Sequence, residues 1–412
     1  MSLYHTFSIL IVLSAVFAYL NFRYLKLPPS IGLMLIALIT SVALFITGNL
    51  YAEVLYDATL LIKSFDFSEL LLGSMLSFML FAGAIHVNIE DLKKEKLPVM
   101  MFSTFSVVIS TFLVGTLCFY LLPLFHLSIP YIHCLLFGAL ISPTDPIAVL
   151  GILKETNIPK SLETKIAGES LFNDGVAVVI FITIWEAAKS PEIPSFSEIS
   201  LLFLREAVGG LLLGFAVGWL GYKLMRSIDN YKVEVMITLA MVMGGYTLAS
   251  MLHVSGPLAM VVAGILVGNH GKKYAMSNQT SEYISKFWEL IDDILNALLF
   301  VLIGLELLII KDIASYLWIG LLMIAVILLI RYISVFIPSL MIRFTDKFDK
   351  KTVLVLTWGG LRGGISIALA LSLTYDLNKD LWVSLTYFVV AFSILVQGLT
   401  IGKLTKQLKF GS

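Results

Sequence analysis

Charge is scarce in this chain. Only 14% of its 412 residues are Asp, Glu, Lys or Arg, where soluble domains carry about 25%. A water-soluble fold is therefore excluded. Neither sign is in excess, since Lys and Arg number 28 and so do Asp and Glu. No polybasic face is on offer, which excludes nucleic acid, and no soluble partner is evident. Cysteine is nearly absent. Cys118 and Cys134 both lie in apolar runs, so the pair reads as inert buried thiols and not as a disulfide or a thiolate metal site. Long polar stretches are missing too. The longest, 271–286, reads as a connection that forms at most a surface helix, and the tail 405–412 is short. His/Glu metal-ligand spacing and a nucleophile elbow are both lacking, so the chain does not read as an enzyme and calls for no cofactor.

What is present is apolar length. Hydrophobic residues make up 58% of the chain, and the mean hydropathy is +0.94. A helix needs about 20 apolar residues to span a bilayer. Thirteen runs qualify: 3–21, 30–48, 68–87, 98–122, 131–152, 166–188, 200–222, 233–252, 254–270, 287–310, 314–341, 352–373 and 381–402. The first lacks the basic flank and small-residue cleavage site of a signal peptide, so it counts as a span. The expected fold is an all-α polytopic membrane protein with 13 transmembrane helices. Lys and Arg crowd the loops after odd-numbered spans and the C-terminal tail; on the opposite side only Lys63, Lys189, Lys311 and Lys379 remain. The positive-inside rule then puts the N-terminus outside and the C-terminus in the cytoplasm.

The sixth span opens with Gly168-Glu169-Ser170-Leu171-Phe172-Asn173-Asp174-Gly175. Ionisable groups inside a membrane helix cost roughly 2.5–3.5 kcal/mol each, and they mark ion or proton paths. A reading of these residues as loop leaves too short a span behind them. Residues four apart share a helix face, so Ser170 goes with Asp174, and Glu169 with Asn173.

Two other spans look broken. Span five holds Ser142-Pro143-Thr144-Asp145-Pro146. Pro143 and Pro146 remove backbone donors and force a break, with Asp145 beside it. Freed backbone groups at membrane depth survive only inside protein or along a wet cavity. Span twelve holds Trp358-Gly359-Gly360-Leu361-Arg362-Gly363-Gly364, whose glycines weaken the helix; close helix packing is the plainer use of such residues. The two broken spans run in opposite directions, each in the middle of a three-helix group. That is the mark of an inverted repeat with a site where broken helices cross. Arg331 lies deep in span eleven and needs a partner; Glu169 is the most economical one, and Arg362 is the alternative, unless it faces the half-helix ends of span twelve. Na⁺ is a hard cation that prefers oxygen. Asp174, Asp145, Ser170, the Thr144 carbonyl and water can supply it.

At this point the motifs resemble a family. SPTDPIAVL, GESLFNDGVAVV, SGPLAMVVAGILVGN, LFVLIGLEL and GGLRGGISIALAL are similar to the monovalent cation/proton antiporters of the sodium/proton exchanger type, in the short NhaP-like branch. The resemblance covers essentially the whole chain. It implies an antiporter fold of the NhaA/NhaP kind, a homodimer in the cell membrane among lipids, a scaffold of 1–90 and 200–312, and an ion-transporting core of 98–188 and 314–404. By motif, Asp174 is the ion- and proton-binding carboxylate, and Asp145, Ser170 and Thr144 help coordinate the cation. Glu169 and Asn173 form a structural pair tethered to an arginine, matching Arg331. The Asn-Asp order implies electroneutral exchange of one Na⁺ (or Li⁺ or K⁺) for one H⁺. A channel or a sensor on the same fold is the competing reading. The chain departs from its relatives at Ala82, where many carry glutamate in an LLFEGGL segment.

Overall fold

The computed structural model describes residues 3–48, 56, 59–60, 62, 67–145, 147–153, 158–190, 195–310, 313–342 and 349–408. Every regular element among these residues is helical. Apolar surroundings leave the backbone amides no water to bond, so helices that close their bonds internally are the available solution. In chain order, α1 is Leu3–Leu20, α2 Pro29–Gly48, α3 Phe67–His86 and α4 Lys96–Phe125. Next come α5 Tyr131–Ile141, α6 Ile147–Leu153 and α7 Lys160–Lys189. α8 is Phe196–Arg226, α9 Tyr231–Leu252, α10 Gly256–Leu266, α11 Asn278–Glu306 and α12 Leu317–Ile342. α13 Lys350–Trp358, α14 Gly364–Ser372 and α15 Lys379–Leu408 close the series.

Nine helices among the described residues are long and apolar enough to cross a membrane. The four remaining apolar runs depart from that form for separate reasons. Runs 131–152 and 352–373 are each split into two short helices by their proline and glycine motifs. Run 254–270 keeps an α-helix of 11 residues and then widens into a π-turn at Val267–Gly271. Run 287–310 belongs to α11, which starts at Asn278 inside the polar stretch and carries Glu289, Asp292 and Asp293 along its middle.

Packing places α7 at the centre of the site. α5 lies between α4 and α7, and α14 crosses against both α5 and α3. Phe137 of α5 stacks on Trp382 of α15, ring centroids 4.9 Å apart, at the heart of one apolar cluster. The start of α7 is clasped to the preceding turn, with Lys165 Nζ 3.0 Å from Glu95 and Lys160 Nζ 2.7 Å from Asp91. The hydrogen bond from Lys160 holds the Asp91 carboxyl below the usual carboxylate range.

Smaller expectations fall out here. Cys118 and Cys134 are free and fully buried. His126 and His253 take the left-handed backbone at helix ends, with φ of 62° and 53°. Arg205 donates to the Leu252 carbonyl at 3.1 Å.

Candidate functional site

The site begins with the break in run 131–152. Regular α-helix stops at Ile141, and residues 142–145 run on without it. Pro146 lies outside the described residues. The second break spans residues 359–363, and the two breaks touch. The Asp145 amide donates to the Leu361 carbonyl at 2.8 Å. Arg362 Nη1 donates to the carbonyls of Pro143, at 2.9 Å, and of Ser142. Those carbonyls end α5, where the helix dipole is negative. The guanidinium thus satisfies orphan acceptors and balances the dipole at once. Arg362 therefore serves the half-helix end of the other broken run, not that of its own.

α15 completes the second break. The Arg362 amide donates to Ser393 Oγ at 2.9 Å, and Gln397 Nε2 to the Trp358 carbonyl at 3.0 Å. Ser393 and Gln397, which sequence reasoning missed, brace this break. Their signal is an i, i+4 polar pair inside an apolar span; here it bounds a π-turn at Ser393–Gln397.

Two glycines are fixed by what lies against them. A Cβ on Gly363 would collide with the Asp145 carboxylate, and one on Gly360 with the Arg331 guanidinium. Close backbone approach, not flexibility alone, is what these positions need. Gly359 accepts the Leu361 amide at 2.8 Å within the break.

α7 supplies the rest. Glu169 Oε1 meets Arg331 Nη1 at 2.7 Å, with the side chains 2% and 6% exposed. The contact is an ion pair in which Oε1 has no aligned hydrogen bond among the described residues. Arg331 Nη2 also donates to the Leu356 carbonyl at 3.0 Å. Asn173 does not join this pair. Its Nδ2 donates to Thr144 Oγ1 at 2.7 Å, and its Oδ1 accepts the Thr144 amide at 3.3 Å. One helical turn carries Asn173 past the arginine to the break, where unpaired backbone competes for its amide. Thr144 Oγ1 lies 3.1 Å from Ser170 Oγ, and both residues are buried.

Asp174 is 7% exposed, and no hydrogen bond or ion pair to its carboxylate is found among the described residues. It lines a cavity that admits a water-sized sphere over about 80 Å³, where one water needs about 10–15 Å³. Pro143, Asp145 and Gly363 share that wall, while Thr144 and Ser170 stand behind it. A third carboxylate on the wall, Asp292 of α11, escaped the sequence reading. Its signal is an Asp292-Asp293 pair inside an apolar run. Ala82, by contrast, is fully buried and off the wall. Buried oxygens around a wet space, two of them on unlike helices, can trade a cation for protons.

The sequence and the fold are similar to those of known proteins. Residues 11–407 match the family described as sodium/hydrogen exchanger, transmembrane. The chain is 48% identical over 410 residues to the Na⁺/H⁺ antiporter NhaP of Pseudomonas aeruginosa, covering 97% of this chain and 96% of that one. It is 34% identical to the Na⁺/H⁺ antiporter NhaH of Halobacillus dabanensis, covering 94% and 93%. Among solved structures, the sodium proton antiporter MjNhaP1 of Methanocaldococcus jannaschii superposes over the whole of both chains with a TM-score of 0.78 at 20% identity, which establishes the shared fold.

Proposed function

Since the chain belongs to the sodium/hydrogen exchanger family, we propose that it is a secondary active antiporter that exchanges Na⁺ for H⁺ by alternating access. The observation that carries the reading is Asp174: a buried carboxylate, with no hydrogen-bond or ion-pair partner among the described residues, on a water-sized cavity beside a double helix break. A charge so placed is costly unless something neutralises it. A proton does so in one half of the cycle and a cation in the other. One carboxylate that cannot hold both couples the two fluxes with no further device.

Asp174 and Asp145 are the first ligands of the cation in this proposal. The hydroxyls of Ser170 and Thr144, held next to each other, complete an oxygen shell suited to a hard ion. Asn173 keeps the break in register with α7. Glu169 and Arg331 fix α7 against α12, and Arg362 ties the breaks together. Li⁺ and K⁺ are candidate alternative substrates, and electroneutral one-for-one exchange follows from the single titrating carboxylate.

The remaining architecture is proposed on the same footing. The four irregular runs count as membrane segments, giving thirteen. Residues 98–188 and 314–404 form the transporting core, an inverted repeat around the two breaks. Residues 1–90 and 200–312 form the scaffold of a homodimer in the cell membrane, with a cytoplasmic C-terminus. A channel finds no support in the relatives, which are named as antiporters.

The test is pH-gradient dequenching in proteoliposomes with Na⁺, Li⁺ and K⁺ in turn, with and without a membrane potential. Asp174→Asn is expected to abolish the response while protein yield stays normal. Exchange at the wild-type rate in that variant would sink the mechanism.

A further inference from the structure

Glu306 is a buried carboxyl that the exchange reading leaves without a task. It is 2% exposed, and its Oε1 has no hydrogen-bond partner among the described residues. It is the last residue of α11 and is not part of the cavity wall. The C-terminal end of a helix carries partial negative charge, so an anion is misplaced there and a cation is favoured. Lys379 shows the opposite misplacement. It is the first residue of α15, where the dipole disfavours a cation. Lys379 is also the cation within electrostatic reach of Glu306.

Here Lys379 takes another partner. Its ammonium donates to the Leu371 carbonyl near the end of α14. The lysine thus has two acceptors, one on each side of a packing boundary. Leu371 belongs to α14, which lines the cavity through Gly364 and Ser366. Glu306 belongs to α11, whose Leu302 and Leu305 share an apolar cluster with Ile367 of α14 and with Tyr387 and Val390 of α15. The Tyr387 hydroxyl is within the field of Glu306 and has no partner among the described residues either. Apolar contact closes this seam, and the charges beside it are left unmatched.

We propose that Glu306 and Lys379 are positioning residues of the exchange, a charge latch that ties α15 to α11 in one state of the cycle and opens in the other. The arrangement described here is the open one, with Lys379 on the Leu371 carbonyl. Closing the latch brings the cation to the negative end of α11 and the anion to the positive end of α15, so both helix dipoles are matched. In the proposed division of the chain, α11 is scaffold, while α14 and α15 are core. The latch therefore acts on the boundary across which alternating access moves, without touching the ion. This rests on the antiporter reading and deepens it.

The test uses proteoliposomes with Glu306→Gln, Lys379→Gln, the two combined, and the exchanged pair Glu306→Lys with Lys379→Glu. Each single Gln change is expected to lower the maximal rate of Na⁺-driven proton flux about fivefold, at the low end of couplings between separate sites. The KM for Na⁺ is expected to stay close to wild type. The combined Gln variant is expected to lose no more than either single one, and the exchanged pair to recover most of the rate. Single variants with the wild-type maximal rate, or losses that add in the combined variant, would overturn the inference. A second measurement separates a latch from a fixed ion pair. Glu306→Cys with Lys379→Cys is joined during turnover by a short bifunctional thiosulfonate, with each single Cys variant as control. The link is expected to arrest exchange, and a reducing agent to restore it. Exchange at the unlinked rate after complete linking, or failure to link, would contradict the latch. Wild-type vesicles without Na⁺-driven flux would instead overturn the antiporter reading beneath it.

Discussion

Single residues decide this site by what they leave open. Asp174 keeps a carboxylate with no partner among the described residues, while the polar groups of Asn173, Ser170 and Thr144 are occupied. Asn173, Ser170 and Thr144 bond one another, so the oxygens behind the wall are pre-positioned but not free. Gly363 leaves the space that the Asp145 carboxylate fills. Adding a methyl there displaces that carboxylate and weakens cation binding. Gly363→Ala is expected to raise the KM for Na⁺ about tenfold, the effect of about 1.4 kcal/mol, with protein yield little changed. Dequenching over a Na⁺ series reads this directly. An unchanged KM would mean that Asp145 does not touch the ion.

Between elements, charge holds the helices that the breaks would otherwise loosen. Glu169 ties α7 to α12 through Arg331, and Arg331 reaches the Leu356 carbonyl near the end of α13. Leaving one buried charge unpaired costs about 3–5 kcal/mol, whereas replacing both with apolar groups can be neutral. Glu169→Gln is expected to lower the apparent melting temperature in detergent clearly, and Glu169→Met with Arg331→Met to recover most of the loss. A double variant as unstable as the sum of its single changes would show that the two side chains act separately.

The breaks themselves were legible. Two prolines in 142–146 and four glycines in 359–364 mark where a helix cannot continue, and depth in an apolar run marks where Arg331 and Glu169 need partners. Partners across the fold were harder to read. Helical spacing gives the face of Asn173 but not the neighbour that faces it, so its bond to Thr144 emerges only when α5 and α7 are packed. The carbonyls of Ser142 and Pro143 that Arg362 meets lie on the other broken run and are hidden for the same reason. Asp292 and Asp293 were absorbed into an apolar count, because four acids in a run of 24 residues, 287–310, leave its average hydrophobic.

At the scale of the whole molecule, scarcity of charge, nine spanning helices among the described residues and two interrupted ones define a membrane carrier. Its central claim is that Na⁺ and H⁺ compete for one buried carboxylate. The most direct test is the KM for Na⁺, measured in proteoliposomes over a pH series with the pH equal on both sides. Competition predicts that KM rises as pH falls, approaching about tenfold per pH unit once the site is mostly protonated, while the maximal rate changes little. A KM that stays constant across the series, with pH acting only on the maximal rate, would contradict the account.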